Sequence, residues 1–338
     1  MPAKSLFFTG PEEVAVRREP IPDPPEGEVL VETEVSAISP GTELLIYRGE
    51  APVELAADEE IDALSGGLDF PLAYGYAAVG RVTAVGAGVG DDWQGRRVFA
   101  FHPHRSHVTT APENLVALPP DCPPEVAAFL ANAECAVNFA MDGRPTVGER
   151  VAVFGQGVVG LLTAALLAEY PLAELLTVDL HERRRELGEQ FGADETLSPE
   201  EDDVVDRLRG EDRPRGPDLA YELTGDPGAL DTAVAASGFH TRLIVGSWYG
   251  SKPATLDLGG RFHRDRVRLQ SSQVSTVAPP FRGRWSKKRR LDVAIDLLTY
   301  LDPTGLITHR FPVERAAEAY RLLDERPEDA VQVLLTYD

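Results

Sequence analysis

Residues 151–179, VAVFGQGVVGLLTAALLAEYPLAELLTVD, decide the fold that the sequence predicts. A short apolar run, residues 151–154, leads into the hexapeptide Gly155-Gln156-Gly157-Val158-Val159-Gly160 and then into an alanine- and leucine-rich segment with helical spacing. A second apolar run, residues 175–178, ends at Asp179, 24 residues after the first glycine. This order of strand, glycine-rich turn, helix, strand and acid is typical of a dinucleotide-binding βαβ unit. The sequence therefore predicts a nicotinamide dinucleotide as cofactor.

Each residue of the glycine motif has a physical role in this prediction. Gly155 allows the sharp turn, Gly157 removes the side chain where backbone approaches a pyrophosphate, and Gly160 lets the helix pack closely on the strand. Val158 and Val159 open the helix, whose unpaired N–H groups and positive dipole end face the phosphates.

Asp179 sets the expected preference between NAD and NADP. Its carboxylate is expected to accept hydrogen bonds from the adenosine ribose hydroxyls and to repel a 2′-phosphate, which favours NAD. Arginines follow at once, at positions 183–185, and Arg184 is the candidate contact for a 2′-phosphate. NADP is therefore kept as an alternative.

The rest of the chain divides into a β-rich first part and an alternating second part. Up to about residue 118 the pattern consists of short strand-like runs separated by turns, whereas strands and helices alternate after residue 150. Alternation of this kind predicts an α/β fold with a doubly wound parallel sheet, whose ligands bind at the carboxyl ends of the strands. Further cofactor-binding candidates at those ends are Thr224, Gly225, Gly246 and Ser247.

Length and composition indicate an ordinary globular protein of two domains. The chain has 338 residues, of which 43% are hydrophobic and 26% are charged. No apolar run approaches the roughly 20 residues of a membrane span, and the N-terminus lacks the apolar core of a signal peptide. We expect a cytoplasmic protein that does not bind membranes. The two cysteines, Cys122 and Cys135, are too few for a disulfide framework or a four-cysteine zinc site.

The charge balance is strongly acidic. The chain has 55 acidic and 33 basic residues, a formal net charge of −22, and lysine occurs at only four positions. Such a composition is typical of proteins from salt-accumulating cells, in which a Debye length of about 3 Å at molar salt screens self-repulsion. An unusually acidic mesophilic protein is the alternative, and activity after dialysis to low salt distinguishes the two. Nucleic acid is an unexpected partner for so acidic a surface.

Residues 282–290, RGRWSKKRR, are basic within this acidic chain. One interpretation is a loop that pairs with neighbouring acids. The other is recognition of an anionic substrate group or of the cofactor phosphates, with Trp285 stacking on the ligand.

Four motifs together resemble the medium-chain dehydrogenase/reductase superfamily. They are VSAISPGTELLIYRG at residues 35–49, GYAAVGRVTAVG at 75–86, VGERVAVFGQGVVG at 147–160 and GLITHRFPVERAAEAYRLLDE at 305–325. The resemblance implies a GroES-like, β-rich catalytic domain of residues 1–131 and 275–338, a Rossmann domain of residues 132–274 and an active site between them. It also implies a homodimer by analogy. Within the superfamily, three short motifs, ISPGTE at residues 38–43, HPH at 102–104 and ANAE at 131–134, are similar to the branch that includes bacteriochlorophyllide a hydroxyethyl dehydrogenases.

The chain departs from the zinc alcohol dehydrogenases of this superfamily at the metal ligands. Pro40 stands where the family has a cysteine, Tyr76 where it has a histidine, and Ala131 where it has a later cysteine or acid. Catalytic zinc requires three protein ligands plus water, so we expect no zinc. Glu134 and Cys135 lie close to the third position.

Without zinc, hydroxyl, imidazole and carboxyl groups must stabilise and protonate the oxygen that gains charge during hydride transfer. The resemblance places Thr42 at the position of the family's proton-relaying hydroxyl and Tyr76 at that of the ligand histidine. Glu134 is a further catalytic candidate.

Three histidines form a second group of candidates. His102 and His104 would share one face of a strand, and His107 follows closely. Either of the first two could act as a proton donor or substrate contact, and we take His102 as the catalytic candidate. A metal site remains an alternative and would need a third ligand such as Glu43 or Glu134.

The sequence thus predicts a zinc-independent NAD(P)-dependent oxidoreductase that acts on a small-molecule alcohol or carbonyl. An enone or quinone reductase is the first alternative, since hydride addition to a conjugated carbon does not need a metal. A catalytically inactive NAD-binding sensor is the second.

Overall fold

The computed structural model describes residues 2–57, 61–210 and 216–337, which form two compact units. The first unit combines Met1–Ala131 with Leu298–Asp338, and the second comprises Asn132–Leu297. We expected the segment 275–297 to fold with the first unit, but its contacts place it in the second. The reason is visible at Arg290, whose buried guanidinium is bonded to side chains and carbonyls of the second unit.

The first unit is mainly β-structure. Its described strands are β1 (Ala3–Gly10), β2 (Glu13–Glu19), β3 (Val29–Ala37), β4 (Ala78–Val85), β5 (Arg97–Ala100), β6 (His107–Thr110), β7 (Leu115–Ala117), β14 (Ile307–Pro312) and β15 (Gln332–Thr336), and its helices are α1 (Pro40–Tyr47), α2 (Pro124–Ala127) and α10 (Ala316–Glu325). β1 and β2 pair in an antiparallel hairpin. Among the described residues the larger sheet has the order β14-β15-β3-β4-β5-β7, with β6 also paired to β3.

The central strand β3 positions the first half of the candidate site. It is paired on both sides, and its apolar residues are buried in the core of the unit. Shortly after β3 ends, Ser39 is extended and Pro40 takes the first position of α1, where a missing N–H costs nothing. The chain therefore turns from β3 into α1 at the motif that the sequence singled out.

The second unit is a Rossmann-type domain. Its described strands are β8 (Arg150–Phe154), β9 (Glu174–Val178), β10 (Glu195–Leu197), β11 (Leu219–Glu222), β12 (Arg242–Val245) and β13 (Arg268–Ser271), and the helices that wholly or largely belong to it are α3 (Leu130–Gly143), α4 (Val158–Ala168), α5 (Glu182–Gln190), α6 (Val204–Arg209), α7 (Pro227–Ala236), α8 (Arg261–Arg264) and α9 (Lys287–Leu301). Every strand pair is parallel, and within the described residues the order is β10-β9-β8-β11-β12-β13.

Sequence pattern explains this architecture. β8 is buried along its whole length, as expected of a strand covered by helices on both faces. The order of the strands reverses between β8 and β11, so the glycine turn after β8 lies at a topological switch point, where doubly wound folds bind ligands. The predicted fold class, a doubly wound Rossmann domain with a β-rich GroES-like domain, is confirmed.

Some predicted element boundaries are wrong by a few residues. The apolar pattern of residues 266–270 predicts a strand there, whereas β13 is Arg268–Ser271, because Arg266 has a positive φ of 56°, outside the β region. The pattern of residues 291–301 predicts a helix, which in the structure begins four residues earlier, at Lys287. No helix in the described part of the chain has the length and apolarity needed to cross a membrane.

Candidate functional site

The glycine turn after β8 has the geometry that the sequence predicted. Gly155 has a φ of +92°, and a Cβ atom there would lie 2.8 Å from the carbonyl carbon of Leu223. A Cβ atom on Gly160 would overlap the carbonyl oxygen of Gly155. Side chains at either position would therefore force the turn away from β11 or the helix away from the turn.

Gly157 differs from the other two glycines because it faces open space. Apart from its own neighbours in the chain, no atom of a described residue lies within 4 Å of a Cβ atom placed there, and no described side chain caps the start of α4. The first N–H groups of α4, at Val158 and Val159, are therefore positioned to receive a phosphate group. This cradle fits the pyrophosphate of a dinucleotide.

Gln156 and Asp179 hold the turn in place. The Asp179 carboxylate accepts hydrogen bonds from the backbone N–H groups of Gln156, at 2.7 Å, and His181, at 2.8 Å. The Gln156 side chain is buried and donates to the carbonyl of Gly155. Each oxygen of the carboxylate keeps a lone pair for a further donor. Asp179 therefore both braces the glycine turn and presents negative charge at the carboxyl end of β9.

The arginines after Asp179 are not equivalent. Arg184 is half-buried in the first turn of α5. Arg185 instead donates to the carbonyl oxygens of Asp179, at 3.0 Å, and Leu180, at 2.7 Å. Sequence reasoning missed this role, because three consecutive arginines give no signal of which one turns back onto the loop.

The ends of β11 and β12 form a second set of backbone groups beside the turn. The Ser247 hydroxyl accepts from the N–H of Gly225 at 2.9 Å. A Cβ atom on Gly246 would overlap the ring of Phe139, so the glycine allows close packing. Thr224 donates through its N–H, at 2.8 Å, to the buried carboxylate of Glu222. The four predicted residues at these ends therefore do lie together.

Glu222 is a residue that sequence reasoning missed. Its carboxylate is fully buried and accepts from the hydroxyls of Thr224 and Tyr249 as well as from the Thr224 N–H. Burial and the adjacent Glu222 carboxylate raise the pKa of Tyr249, which stays a protonated donor. An acid within the strand-like run of residues 219–224 was the signal that could have identified it.

Three hydroxyl groups meet in the first unit and define what we call the hydroxyl cluster. The Tyr76 hydroxyl forms a short hydrogen bond with the Ser39 hydroxyl and lies 3.3 Å from that of Thr42, to which it donates. Tyr76 and Thr42 are partly exposed. The structure thus brings together two predicted catalytic candidates and adds Ser39.

A buried acid, Glu43, supports the hydroxyl cluster. Glu43, directly after Thr42, accepts at Oε1 from the N–H of Ser39, 2.8 Å away. Its Oε2 accepts from His104 Nε2 at 3.0 Å and from the hydroxyl of Tyr320. Burial and the Glu43 carboxylate raise the pKa of Tyr320 well above its usual value, so this hydroxyl remains a donor. Glu43 therefore ties the start of α1 to α10.

His104 extends the same buried network. Its Nδ1 lies 2.7 Å from the Ser36 hydroxyl, which in turn lies 2.8 Å from that of Tyr337. With Nε2 protonated, His104 donates to Glu43 and accepts from Ser36, so the neutral ring satisfies both partners. A Cβ atom at Gly75, whose φ is +121°, would lie 2.6 Å from His104 Cδ2. The imidazole therefore packs directly on the backbone that carries Tyr76.

The three candidate histidines do not converge. His102 turns its Nδ1 to the carbonyl of Pro103 at 3.2 Å, and burial lowers its pKa to about 4. His107 bonds to the Ser106 hydroxyl at 2.9 Å. Of these three histidines, His104 is the one bonded to Glu43. The expectation that His102 and His104 share one face of a strand is wrong, because residues 101–103 do not form a strand. His102 is neutral at neutral pH.

Glu134 is paired within the second unit. It accepts from Arg290 Nε at 3.1 Å and Nη2 at 2.9 Å, and both residues are buried. Arg290 also donates to Asn138 and to the carbonyls of Val274 and Thr276. Burial raises the pKa of Glu134, although Arg290 opposes this shift. The geometry gives Glu134 a structural partner rather than a free carboxyl group.

The residues at the family's zinc-ligand positions do not fit zinc. Pro40 and Ala131 have no donor atom, and the phenol of Tyr76 is bonded to Ser39 and Thr42. In residues 2–57, 61–210 and 216–337, no group of three His, Cys, Asp or Glu side chains could hold a metal ion. Burial raises the pKa of Cys135 to about 12, which leaves a protonated thiol with little affinity for a metal.

Comparison with known proteins defines the class. Residues 158–289 match the zinc-binding dehydrogenase family. Together with the two-unit fold and the glycine turn, this match makes the chain similar to the medium-chain dehydrogenases/reductases and supports an NAD(P)-dependent oxidoreductase.

Several relatives give this class more detail. The chain is 22% identical to starvation-sensing protein RspB of Escherichia coli K12 over 99% of both chains. It is 26% identical to L-threonine 3-dehydrogenase of Bacillus subtilis over 64% of its own length and 60% of that enzyme's. The structure of short chain alcohol dehydrogenase RspB from Escherichia coli CFT073 in complex with NADH has the same fold, with a TM-score of 0.80 at 21% identity over 99% of this chain and all of the other.

Proposed function

We propose that this protein is a zinc-independent, NAD-dependent oxidoreductase that interconverts an alcohol and a carbonyl compound. The observation that carries the proposal is the hydroxyl cluster. Tyr76 stands at a family metal-ligand position, and its phenol is bonded to Ser39 and Thr42 instead of being free to rotate. Preorganised hydroxyl donors can stabilise a developing alkoxide without a metal.

Proton transfer follows from this arrangement. A bound nicotinamide supplies or accepts the hydride. In the reducing direction, the Tyr76 hydroxyl donates a hydrogen bond to the substrate carbonyl and then its proton to the oxygen. The phenolate regains its proton from solvent water, relayed through the hydroxyls of Thr42 and Ser39. In the oxidising direction the same groups remove the alcohol proton.

The cofactor preference rests on Asp179. Its carboxylate is held by two backbone N–H groups at the end of β9, and it adds negative charge where a 2′-phosphate would bind. We therefore propose that the protein binds NAD more tightly than NADP. Asp179→Ser should reduce this preference, as measured by NADH and NADPH titrations.

The central test removes the phenol of Tyr76. Tyr76→Phe and Thr42→Val should each lower kcat for NADH-dependent carbonyl reduction by about a hundredfold, within the usual range of acid–base catalysis. The Kd for NADH should not change. Tyr47→Phe is the matched control, since Tyr47 also loses a hydroxyl from the same core but has no bond to the hydroxyl cluster.

Other outcomes separate the alternatives. Turnover of enones or quinones that survives Tyr76→Phe would favour the enone or quinone reductase. NADH binding without turnover of any substrate in the panel would favour the sensor. Loss of activity on treatment with a chelator, restored by zinc, would overturn zinc independence.

We further propose a homodimer formed through the exposed edge of the Rossmann sheet. β13 is an end strand of the sheet, and its four residues are exposed, including Leu269 at 40%. Edge strands of this kind are templates for pairing with another chain. Light scattering should give the mass of two chains, and Leu269→Asp should give one.

A further inference from the structure

Residues 282–290 form a basic surface segment in an acidic protein. Six of these nine residues are Lys or Arg and none is acidic, whereas the whole chain has 55 acidic and 33 basic residues. We had considered that this segment pairs with neighbouring acids. The structure confirms this for two residues. Arg290 forms an ion pair with Glu134, and Lys288 Nζ lies 3.0 Å from Asp292 Oδ1.

The other arginines are arranged differently. Arg289 lies over the ring of Trp285, with its guanidinium carbon 4.2 Å from the ring centre. It also donates to the carbonyl of Arg284 at 2.7 Å. Trp285 therefore stacks on a side chain of its own segment, and Arg289 is an exposed residue.

Two more arginines join this group. Arg282 donates through Nε to the carbonyl of Val277 at 2.9 Å, which leaves its terminal nitrogens for other acceptors. Arg144 lies over the ring of Phe281, with its guanidinium carbon 5.0 Å from the ring centre. The carbonyl of Phe281 accepts a hydrogen bond from the N–H of Arg284 at 2.9 Å, so Phe281 contacts both Arg144 and Arg284. We call Arg144, Arg282, Arg284 and Arg289 the arginine patch.

The charge of the arginine patch is not neutralised within the described chain. None of its four exposed guanidinium groups lies within 4.0 Å of a carboxylate oxygen of a described residue. Elsewhere on the surface, arginines such as Arg207 and Arg315 form close ion pairs with Glu195 and Glu318. In a chain of net charge −22, a cluster of arginines that avoids carboxylates is available to an external anion.

One end of the segment, at Arg290, is connected with the ligand-binding edge of the sheet, whereas the patch member Arg144 lies beside Arg242, the first residue of β12. Arg290 bonds to the carbonyls of Val274 and Thr276, which lie just past the carboxyl end of β13. Since all strands are parallel, this is the edge at which Gly155 and Gly225 also lie. The buried Arg290–Glu134 pair therefore fixes the start of α9, and with it Arg289, relative to that edge.

We propose that the arginine patch binds an oxyanion, a phosphate or carboxylate group, carried by the substrate of this oxidoreductase. The assignment of the anion to the substrate rests on the proposed function. Guanidinium groups bind both oxyanions through paired, charge-assisted hydrogen bonds, and stacking on Trp285 and Phe281 holds two of them in place. Such contacts act below 3 Å, so they persist at salt concentrations that screen longer-range attraction.

The first experiment measures anion binding by the whole protein. Inorganic phosphate and succinate are titrated calorimetrically at constant ionic strength. Arg284→Gln/Arg289→Gln should weaken binding of the preferred anion at least tenfold. Arg207→Gln/Arg315→Gln is the matched control, since it removes the same charge from ion-paired surface positions and should change binding less than twofold. Tighter binding of phosphate than of succinate would indicate a phosphate site, and the reverse order of affinity would indicate a carboxylate site.

Three results would overturn the proposal. They are the absence of phosphate and succinate binding to the wild type, equal binding by the patch variant, and equal losses in the patch and control variants. The last would mean a general effect of charge.

The second experiment links the patch to the substrate. Reduction of a ketose and of its phosphate ester by NADH is compared in the wild type and in the patch variant. The patch variant should raise KM for the charged substrate at least tenfold and leave the Kd for NADH unchanged. An unchanged KM would overturn the link to the substrate. Selective loss of anion binding without turnover of any substrate would support the anion site and contradict the proposed function.

Discussion

The glycine turn and the hydroxyl cluster are built in opposite ways. The turn consists of six consecutive residues, 155–160, and presents backbone N–H groups that depend on the absence of side chains. The hydroxyl cluster consists of side chains from α1 and from the segment before β4, and it is held by Glu43, whose partner Tyr320 is 277 residues away. A site made of backbone is therefore specified locally, whereas a site made of side chains depends on the folding of the whole unit.

The largest effect is expected from Gly160→Val. The new side chain would overlap the carbonyl oxygen of Gly155, which is backbone and cannot rotate away. We expect a loss of about 3 kcal/mol or more in the free energy of unfolding, together with loss of NADH binding. Urea unfolding at fixed salt measures the first, and fluorescence titration the second. Stability equal to that of the wild type would contradict the packing shown for the turn.

Glu43→Gln tests the side-chain site. The amide has one acceptor oxygen for three donors, so Tyr320, His104 or the Ser39 N–H loses its partner. We expect a loss of about 2 kcal/mol in stability, a lower kcat and faster hydrogen exchange at the Ser39 amide.

NADH affinity should be unchanged in Glu43→Gln, because the glycine turn belongs to the other unit. Glu318→Gln is the control, since Glu318 pairs with Arg315 on the surface and should matter little. An unchanged exchange rate at Ser39 would show that Glu43 does not position the cluster.

Gly157→Ala separates cofactor binding from stability. Apart from the chain neighbours of residue 157, no atom of a described residue lies within 4 Å of the added methyl group, so the free energy of unfolding should stay within about 0.5 kcal/mol of the wild type. NADH affinity should fall about tenfold, equivalent to about 1.4 kcal/mol, because the methyl group occupies the space of the pyrophosphate. Unchanged affinity would place the phosphates elsewhere.

The smallest effect concerns the pH dependence of His102. Its pKa is about 4 in the folded protein against an ordinary 6.5, so the unfolded chain binds more protons between these values. Stability should therefore fall as pH drops from about 6.5 to about 4. The full shift corresponds to about 3 kcal/mol, and partial exposure reduces the expected contribution to about 1 kcal/mol. His102→Gln should lose less stability over this window when unfolding is measured at several pH values.

The sequence predicted the glycine turn of the second unit in more detail than the side-chain cluster of the first unit. Strand, turn, helix and acid around residues 150–179 were predicted with their roles, because hydrophobic period and glycine spacing are local signals. Thr42 and Tyr76 were identified through the family resemblance, and the structure adds Ser39 between them. Glu222 and Arg185 were missed because burial and side-chain direction, not residue type, give them their partners.

By itself the sequence determined the α/β class, the dinucleotide turn and the absence of donor atoms at two of the three zinc-ligand positions. Each follows from residue identity or from spacing within one element. Only the tertiary structure decided that Glu43 pairs with His104 and Tyr320, that Glu134 is held by Arg290, and that four arginines form no ion pair with a described carboxylate. The paired residues are 61 to 277 positions apart in the sequence. Buried polar groups need hydrogen-bond partners, and the folded chain determines which distant residues can supply them.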